Sequence, residues 1–345
     1  MELLERARQW ASHDPDPATA SALSADIEAA QRGDEEAAAR VGAAMNGPLQ
    51  FGTAGLRGVV GPGESRMNLA VVIRATAGLC EVVKRHATGT PTLVVGCDAR
   101  YGSSEFATAA CRVASAAGVR VLALPQANPT PLTSFSMLHF DADAGVMVTA
   151  SHNPAPDNGY KVYLGGTVAQ GDGRGVQIVP PFDAEIAAAI EVAPPADEVP
   201  MNDDLIEAVD PREEYVACAS ALASGEASAR ENLRIVLTAM HGVGAPLTSR
   251  VLEEAGFTHV SLVAARQSPT RTSRPCPSRT PRKPVPSTWR SSRPAPRTPT
   301  SSSRSTPTRT AARSRCPTPP RRRDGARSAV TRSARCWASS WPRAA

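Results

Sequence analysis

Gly145-Val146-Met147-Val148-Thr149-Ala150-Ser151-His152-Asn153-Pro154 is an apolar run that breaks into a polar, proline-containing segment. Its length and content predict a strand ending at Ser151. Working outward, the same alternation recurs on the N-terminal side. Leu69 to Val83 is a long apolar-periodic stretch and predicts a helix. Thr92 to Gly96 predicts a short strand that ends before Asp98 and Arg100, and Ser104 to Ala117 predicts the helix after it. Val119 to Leu124 predicts the next strand, and Pro129-Thr130-Pro131 opens another helix with proline near its first turn. Strands alternating with helices predict an α/β fold, a mixed and mainly parallel sheet sandwiched by helices. In such sheets ligand groups gather in the loops after strand C-termini. Asp98, Arg100 and Ser151 all fall there.

The flanking regions read differently. Residues 1–45 read as helices, with Leu3, Leu4 and Ala7 on one face and Trp10 a turn further on. Ser24-Ala-Asp-Ile-Glu and Asp34-Glu-Glu supply acidic helix starts. The α/β unit with Ser151 is expected over 46–200, with a helix over Asp183 to Val192. A second, incomplete α/β unit is expected over 201–266. It comprises a helical stretch near 203–223, a strand from Leu233, a helix over Pro246 to Ala255 and a strand from Val260. From 267 to 345 the periodicity stops in favour of Arg, Pro, Ser and Thr. That segment holds 14 of the 31 prolines, buries too little apolar surface to offset its ordering entropy, and is expected to be disordered.

Charge follows the same division. The chain of 345 residues has a formal net charge of +5. Residues 267–345 carry 19 of the 38 Lys and Arg but only Asp324 among the acids, a charge of +18. The preceding residues are acidic, at −13, so the overall figure averages two unlike polymers. A nucleic-acid-binding protein using the basic tail is the alternative reading of that composition. No apolar run approaches the roughly 18 residues of a membrane span, and the amino terminus has no apolar signal core. The seven cysteines are odd in number and form no C-x-x-C pair, which argues against a disulfide framework or zinc site and fits a reducing cytoplasm.

Two segments carry chemistry. In Thr149-Ala-Ser-His-Asn-Pro-Ala-Pro-Asp-Asn-Gly-Tyr-Lys161, Ser151 leaves a strand into a Pro/Asn/Gly-rich loop, exposed as a phosphoryl carrier must be. His152 can assist proton transfer, Asn153 can donate to phosphate oxygens, and Lys161 supplies a compact positive charge. In Phe51-Gly-Thr-Ala-Gly-Leu-Arg57-Gly58, glycines permit close backbone approach, Thr53 offers a hydroxyl, and the Arg57 fork suits phosphate. From the residues alone, an ordinary polar loop is the commoner meaning of the first segment, and the second is a weak glycine-rich signal.

Together with Arg66-Met-Asn68, Cys97-Asp-Ala-Arg100 and Ser103-Ser104-Glu-Phe106, these segments resemble the α-D-phosphohexomutase superfamily of phosphoglucomutases and phosphomannomutases. The helical preamble and the Thr-Ala-Gly loop are similar to its phosphopentomutase-related branch. Thr238-Ala-Met-His241-Gly-Val-Gly244 is similar to the start of its second domain. The resemblance covers about residues 1–266. It implies a phosphoserine-bearing domain I and an enzyme that moves phosphate between the C1 and C6 (or C5) hydroxyls of a hexose or pentose phosphate. Phosphate passes from Ser151 to the sugar, giving a bisphosphorylated intermediate whose other phosphate returns to the serine. The implied catalytic residues are Ser151, His152, Lys161 and Arg57, with Lys161 or His152 for acid/base work. Thr53, Asn153 and Arg100 would bind substrate phosphate. The implied cofactor is one magnesium ion (Mg2+), held by the Ser151 phosphate and by second-domain aspartates, with a sugar bisphosphate as activator and a small-molecule sugar phosphate as partner.

The expected Asp-Gly-Asp-x-Asp-Arg loop does not occur in this chain. Back-translating Ser305 to Ala312 with GC-rich codons and shifting the frame yields Asp-Pro-Asp-Ala-Asp-Arg-Cys. The same shift over Pro269 to Pro275 and Thr280 to Val285 yields further acidic, family-like segments. A frameshift near residue 266 is therefore expected, and with it a truncated enzyme that is inactive as it stands.

Overall fold

The computed structural model describes residues 3–51 and 55–264. Thr53, the expected tail and the frame-shifted segments lie outside them. Helices α1 (Leu3–Ser12), α2 (Pro17–Gln31) and α3 (Glu35–Ala44) form the amino-terminal layer. Helix α2 starts earlier than the acidic Ser24 stretch suggested. Asp16 caps it by accepting from Ala18 N, with Pro17 in the first turn, where its missing N–H costs nothing. Asp34 caps α3 through Ala37 N, as expected. Ala7, Leu23, Ile27 and Val41 form a small core, against which Leu4 and Trp10 pack from α1, while Leu3 remains exposed.

The main sheet is built from β1 (Leu56–Val59), β2 (Thr92–Cys97), β3 (Arg120–Ala123), β4 (Ala144–Val148), β5 (Asp157–Leu164), β6 (Val176–Gln177) and β7 (Ile206–Ala208). Its order is β1-β5-β4-β2-β3-β7, with β6 on β5. The strands β4, β2, β3 and β7 run parallel, whereas β5 is antiparallel to β1, β4 and β6. Helices α4 (Leu69–His86), α5 (Ser103–Ala116), α6 (Thr130–His139) and α7 (Phe182–Glu191) cover the faces. Branched residues from β2, β4 and β5 meet Val72, Leu79 and Val83 of α4 and Ala110 of α5 in the largest core. At its centre Tyr160 is wholly buried, with its hydroxyl 2.9 Å from Thr76 Oγ1.

Two strands were hidden in glycine-rich motifs. Asn158 to Lys161, read as part of a polar loop, is interior to β5, and Arg57 lies in β1 rather than in a loop. Residues 157–164 are covered on both faces, so the simple alternation of a half-exposed strand is absent. The helical reading of 203–223 also splits. Ile206–Ala208 pairs with β3 and carries the first sheet past the boundary expected at residue 200, and only then does α8 (Arg212–Ser220) begin.

The remaining elements are α9 (Ala227–Asn232), β8 (Arg234–Leu237), α10 (Ala245–Glu254) and β9 (His259–Leu262). β8 and β9 pair in parallel as a separate two-stranded sheet. This unit docks on the first through Val216 of α8 and Leu247 of α10, packed against Leu132 and Phe135 of α6. Among the described residues, no helix is long and apolar enough to cross a membrane.

Candidate active site

The site begins with Asp98, placed just beyond β2 by a hydrogen bond from its N–H to the carbonyl of Val148 (3.1 Å). Its Oδ1 accepts from Ser103 Oγ (2.6 Å) and from the Arg100 N–H (3.0 Å), and its Oδ2 accepts from Thr149 Oγ1 (2.6 Å). Thr149 Oγ1 in turn accepts the N–H of Ser151 at 2.9 Å. One carboxylate thus ties the ends of β2 and β4 together and fixes the backbone that enters the serine loop.

Arg100 holds the other side of that loop. Its Nη1 donates to the carbonyls of Pro154 and Asp157 and its Nη2 to those of Ser151 and Asn153, all at 2.9 to 3.0 Å. The side chain is only 8% exposed, with Nε 3.4 Å from Asp98. In this structure Arg100, expected to bind substrate phosphate, faces backbone carbonyls instead. Both terminal nitrogens are committed to backbone oxygens, and the residue is a strut for the loop.

Ser151 stands at the loop's apex with φ of 58°, in the left-handed region that costs a non-glycine residue of order 1 kcal/mol or more. The strut and the Thr149 contact offset that cost. The serine is exposed, and its Oγ is 3.4 Å from His152 Nδ1. Asn153 accepts from Arg57 Nη1 (3.3 Å) and donates to Asp157 Oδ2 (2.9 Å). Asn153 is thereby already engaged, while Arg57 keeps a buried Nε without a partner among the described residues.

Lys161 enters from β5, opposite Met147 of β4, and is 9% exposed. Burial, then repulsion from the nearby Arg57, push its ammonium below the usual lysine range, and attraction to Asp98 only partly opposes this. Among the described residues its side chain makes no hydrogen bond or ion pair. The close approach of backbone here requires Gly159, since a Cβ on it would stand 2.7 Å from the carbonyl oxygens of Leu56 and Thr149.

Ser151, Arg100, Asp98 and Thr149 line one wall of a cleft of about 210 Å³, and His241, Gly242 and Val243 line the other. His241 was quoted in a motif but not expected at the site. The available signal was positional: like Ser151, it lies in the loop that follows a strand, here β8. Met240 and His241 both have left-handed φ, of 51° and 67°. Asn128, which also lines the cleft, braces it by accepting the Cys97 N–H (3.2 Å) and donating to Thr133 (3.2 Å). Nothing in its sequence context marked it.

Among the described residues no group of three or more His, Cys, Asp or Glu gathers where it could hold a metal ion. Asp98, the acid of the cleft, is saturated by hydroxyl and N–H donors. The described residues do not supply the acidic ligands that the expected magnesium needs.

Residues 48–194 match the family model described as phosphoglucomutase/phosphomannomutase, alpha/beta/alpha domain I. A probable phosphomannomutase of Haemophilus influenzae is 40% identical over 207 residues, covering 57% of this chain and 40% of that protein. Human phosphopentomutase is 38% identical over 191 residues, covering 53% of this chain and 29% of that protein. The chain thus spans well under half the length of these curated relatives. A putative phosphomannomutase from Thermus thermophilus superimposes with a TM-score of 0.55 and 27% identity, over 66% of this chain and 47% of that one. Ser151 and its supporting Asp98, Arg100 and Thr149 all fall within the matched residues, so the part of the chain that builds this side of the cleft is similar to domain I of phosphoglucomutases and phosphomannomutases.

Proposed function

We propose that the chain carries the phosphoserine-bearing domain I of a sugar-phosphate mutase from residue 46 through strand β7, with Ser151 as the phosphoryl carrier. The observation that carries this reading is the loop itself. A serine is held exposed and left-handed at a strand end, while a buried arginine gathers four carbonyls beneath it. Such a scaffold fixes the nucleophile, and rigid placement is most of what phosphoryl transfer asks of a protein.

In the charging step, Ser151 Oγ attacks a phosphorus of a sugar bisphosphate. The P–Oγ bond forms, the bond from phosphorus to the sugar oxygen breaks, and the serine proton ends on that sugar oxygen. In the reverse step the same phosphoryl group passes to a hydroxyl of a sugar monophosphate. Arg57 and Lys161 supply positive charge against the transferring group, with Thr53 and Asn153 as further phosphate contacts. His152, 3.4 Å from Oγ, and Lys161, whose lowered pKa brings its proton nearer to exchange at neutral pH, are the candidates for proton transfer. With no acidic cluster among the described residues, the chain takes up phosphate at Ser151 without efficient mutase turnover.

The test is incubation of the full chain with glucose 1,6-bisphosphate, followed by peptide mass spectrometry. Phosphate on Ser151, absent in Ser151→Ala, supports the reading. An unmodified wild-type serine under conditions that charge a complete mutase would overturn it.

A further inference from the structure

The cleft of about 210 Å³ in front of Ser151 has two walls of different electrical character. On the wall that carries the serine, the charged side chains are Asp98 and Arg100. They offset each other, with Arg100 Nε 3.4 Å from the Asp98 carboxylate. Both are otherwise occupied, the carboxylate by Ser103, Thr149 and the Arg100 N–H, the guanidinium by four loop carbonyls. Arg57 and Lys161, on β1 and β5, are not among the residues that line the cleft. A phosphate on Ser151 would bring about −1.5 to −2 of charge at neutral pH. Among the described residues, this wall holds no uncommitted cation to meet it.

The facing wall comes from the loop between β8 and α10, where His241 is the titratable side chain of the cleft, with Gly242 and Val243 beside it. The chain turns sharply there. The Gly242 N–H donates to the Ala239 carbonyl at 2.7 Å, and the Met240 N–H to Thr238 Oγ1 at 3.2 Å. Met240 and His241 both sit in the left-handed region, at φ of 51° and 67°. Two such residues in succession are strained backbone of the kind that gathers at functional sites. The cleft is smaller than the roughly 300–1,000 Å³ of sites that enclose a whole small molecule, so a group on the Ser151 oxygen has the facing wall within reach. An imidazole suits that place: its N–H donates to a phosphate oxygen in either protonation state, and the imidazolium adds positive charge.

We infer that His241 is a phosphate-contacting residue, donating from the opposite wall to the phosphoryl group on Ser151 and supplying charge that Asp98 and Arg100 do not. The inference rests on the reading of Ser151 as the phosphoryl carrier. It gives the second α/β unit a part in the chemistry of the first.

The experiment compares the full chain with His241→Gly. Glycine is at ease in left-handed backbone, so the variant removes the ring and keeps the turn, and circular dichroism checks its fold. Phosphate uptake at Ser151 from glucose 1,6-bisphosphate is followed by mass spectrometry, with and without imidazole in the buffer. The variant should take up phosphate about tenfold more slowly or worse, and millimolar imidazole should restore the rate several-fold and saturably. Such rescue separates a ring that touches the phosphoryl group from one that only shapes the turn. A second arm does not depend on charging. In a chain translated with phosphoserine in place of Ser151, the 31P resonance should move in His241→Gly and return with imidazole. His259→Gln, on β9 of the same unit, should leave it in place. Should His241→Gly fail to fold, His241→Asn, which also tolerates left-handed backbone, serves in the second arm. Equal uptake by wild type and variant, no rescue by imidazole, or an unmoved 31P resonance would overturn the inference. A wild type that takes up no phosphate, beside a 31P resonance that does move, would sink the reading of Ser151 as a carrier and leave the His241 contact standing.

Discussion

The two halves of the 210 Å³ cleft are built to different standards. On the Ser151 side, the ends of β2 and β4 rest on a sheet covered by α4, α5 and α7, and Val94, Val146 and Tyr160 are wholly buried. On the His241 side, β8 and β9 form an isolated pair, with Val236 70% exposed and Leu233 51% exposed. The second half hangs on the first through Val216 of α8 and Leu247 of α10, packed against α6. The contrast teaches that the nucleophile's geometry is set by the first half alone, while the opposing wall is free to rearrange.

Hydrogen exchange breaks or sharpens this contrast most strongly. Amides of β2, β4 and β5 should exchange through global unfolding, whereas those of β8 and β9 should open at least about a hundredfold more often. Equal protection in both sheets would contradict the division. Next in size are paired truncations. Tyr160→Ala should cost about 3–5 kcal/mol in denaturant unfolding, whereas Val236→Ser, at an exposed position, should stay within about 0.5 kcal/mol. Thr76→Val is smaller. It leaves the buried Tyr160 hydroxyl without its partner and should cost roughly 1–3 kcal/mol.

The smallest effect concerns pH. The folded state holds the Lys161 pKa below its ordinary value of 10.5, so just below that value the unfolded chain binds more protons. Stability therefore rises with pH in that window, as the penalty of the buried ammonium is relieved. Lys161→Met should remove this part of the rise when stability is compared between the variant and the wild type. An identical pH dependence in both would show that the buried ammonium is not disfavoured.

The parallel core was legible because its signals are local. Leu69, Val72, Ile73 and Leu79 recur at helical spacing, and the apolar runs at 92–96 and 145–150 end where polar residues begin. β1 and β5 were not legible, because the residues that make the site, Arg57, Gly159 and Lys161, interrupt their apolar pattern. Chemistry and strand pattern compete for the same positions there, and tertiary pairing decides. Of the residues named from sequence, Arg57 meets Asn153 and His152 neighbours Ser151 on one loop, while Lys161 lies on β5 with Arg57 and Asp98 nearby. The hold of Arg100 on the loop carbonyls was not legible, because a sequence shows that a guanidinium is present, not which oxygens it faces. His241 was overlooked for the same reason: its neighbours across the cleft are remote in the chain.

The scaffold makes one further demand. If Arg100 and Asp98 preorganise the loop, Arg100→Ala should slow phosphoryl uptake at Ser151 about tenfold or more while leaving the β2 and β4 amides protected. Arg100→Lys, which cannot span four carbonyls with one ammonium, should restore little.

The most direct measurement is the phosphorylation state of Ser151 after exposure of the full chain to glucose 1,6-bisphosphate. The account predicts a single phosphate on that residue, lost in Ser151→Ala and reduced in Arg100→Ala. An unphosphorylated Ser151 in a chain whose main sheet is shown to be folded would contradict it.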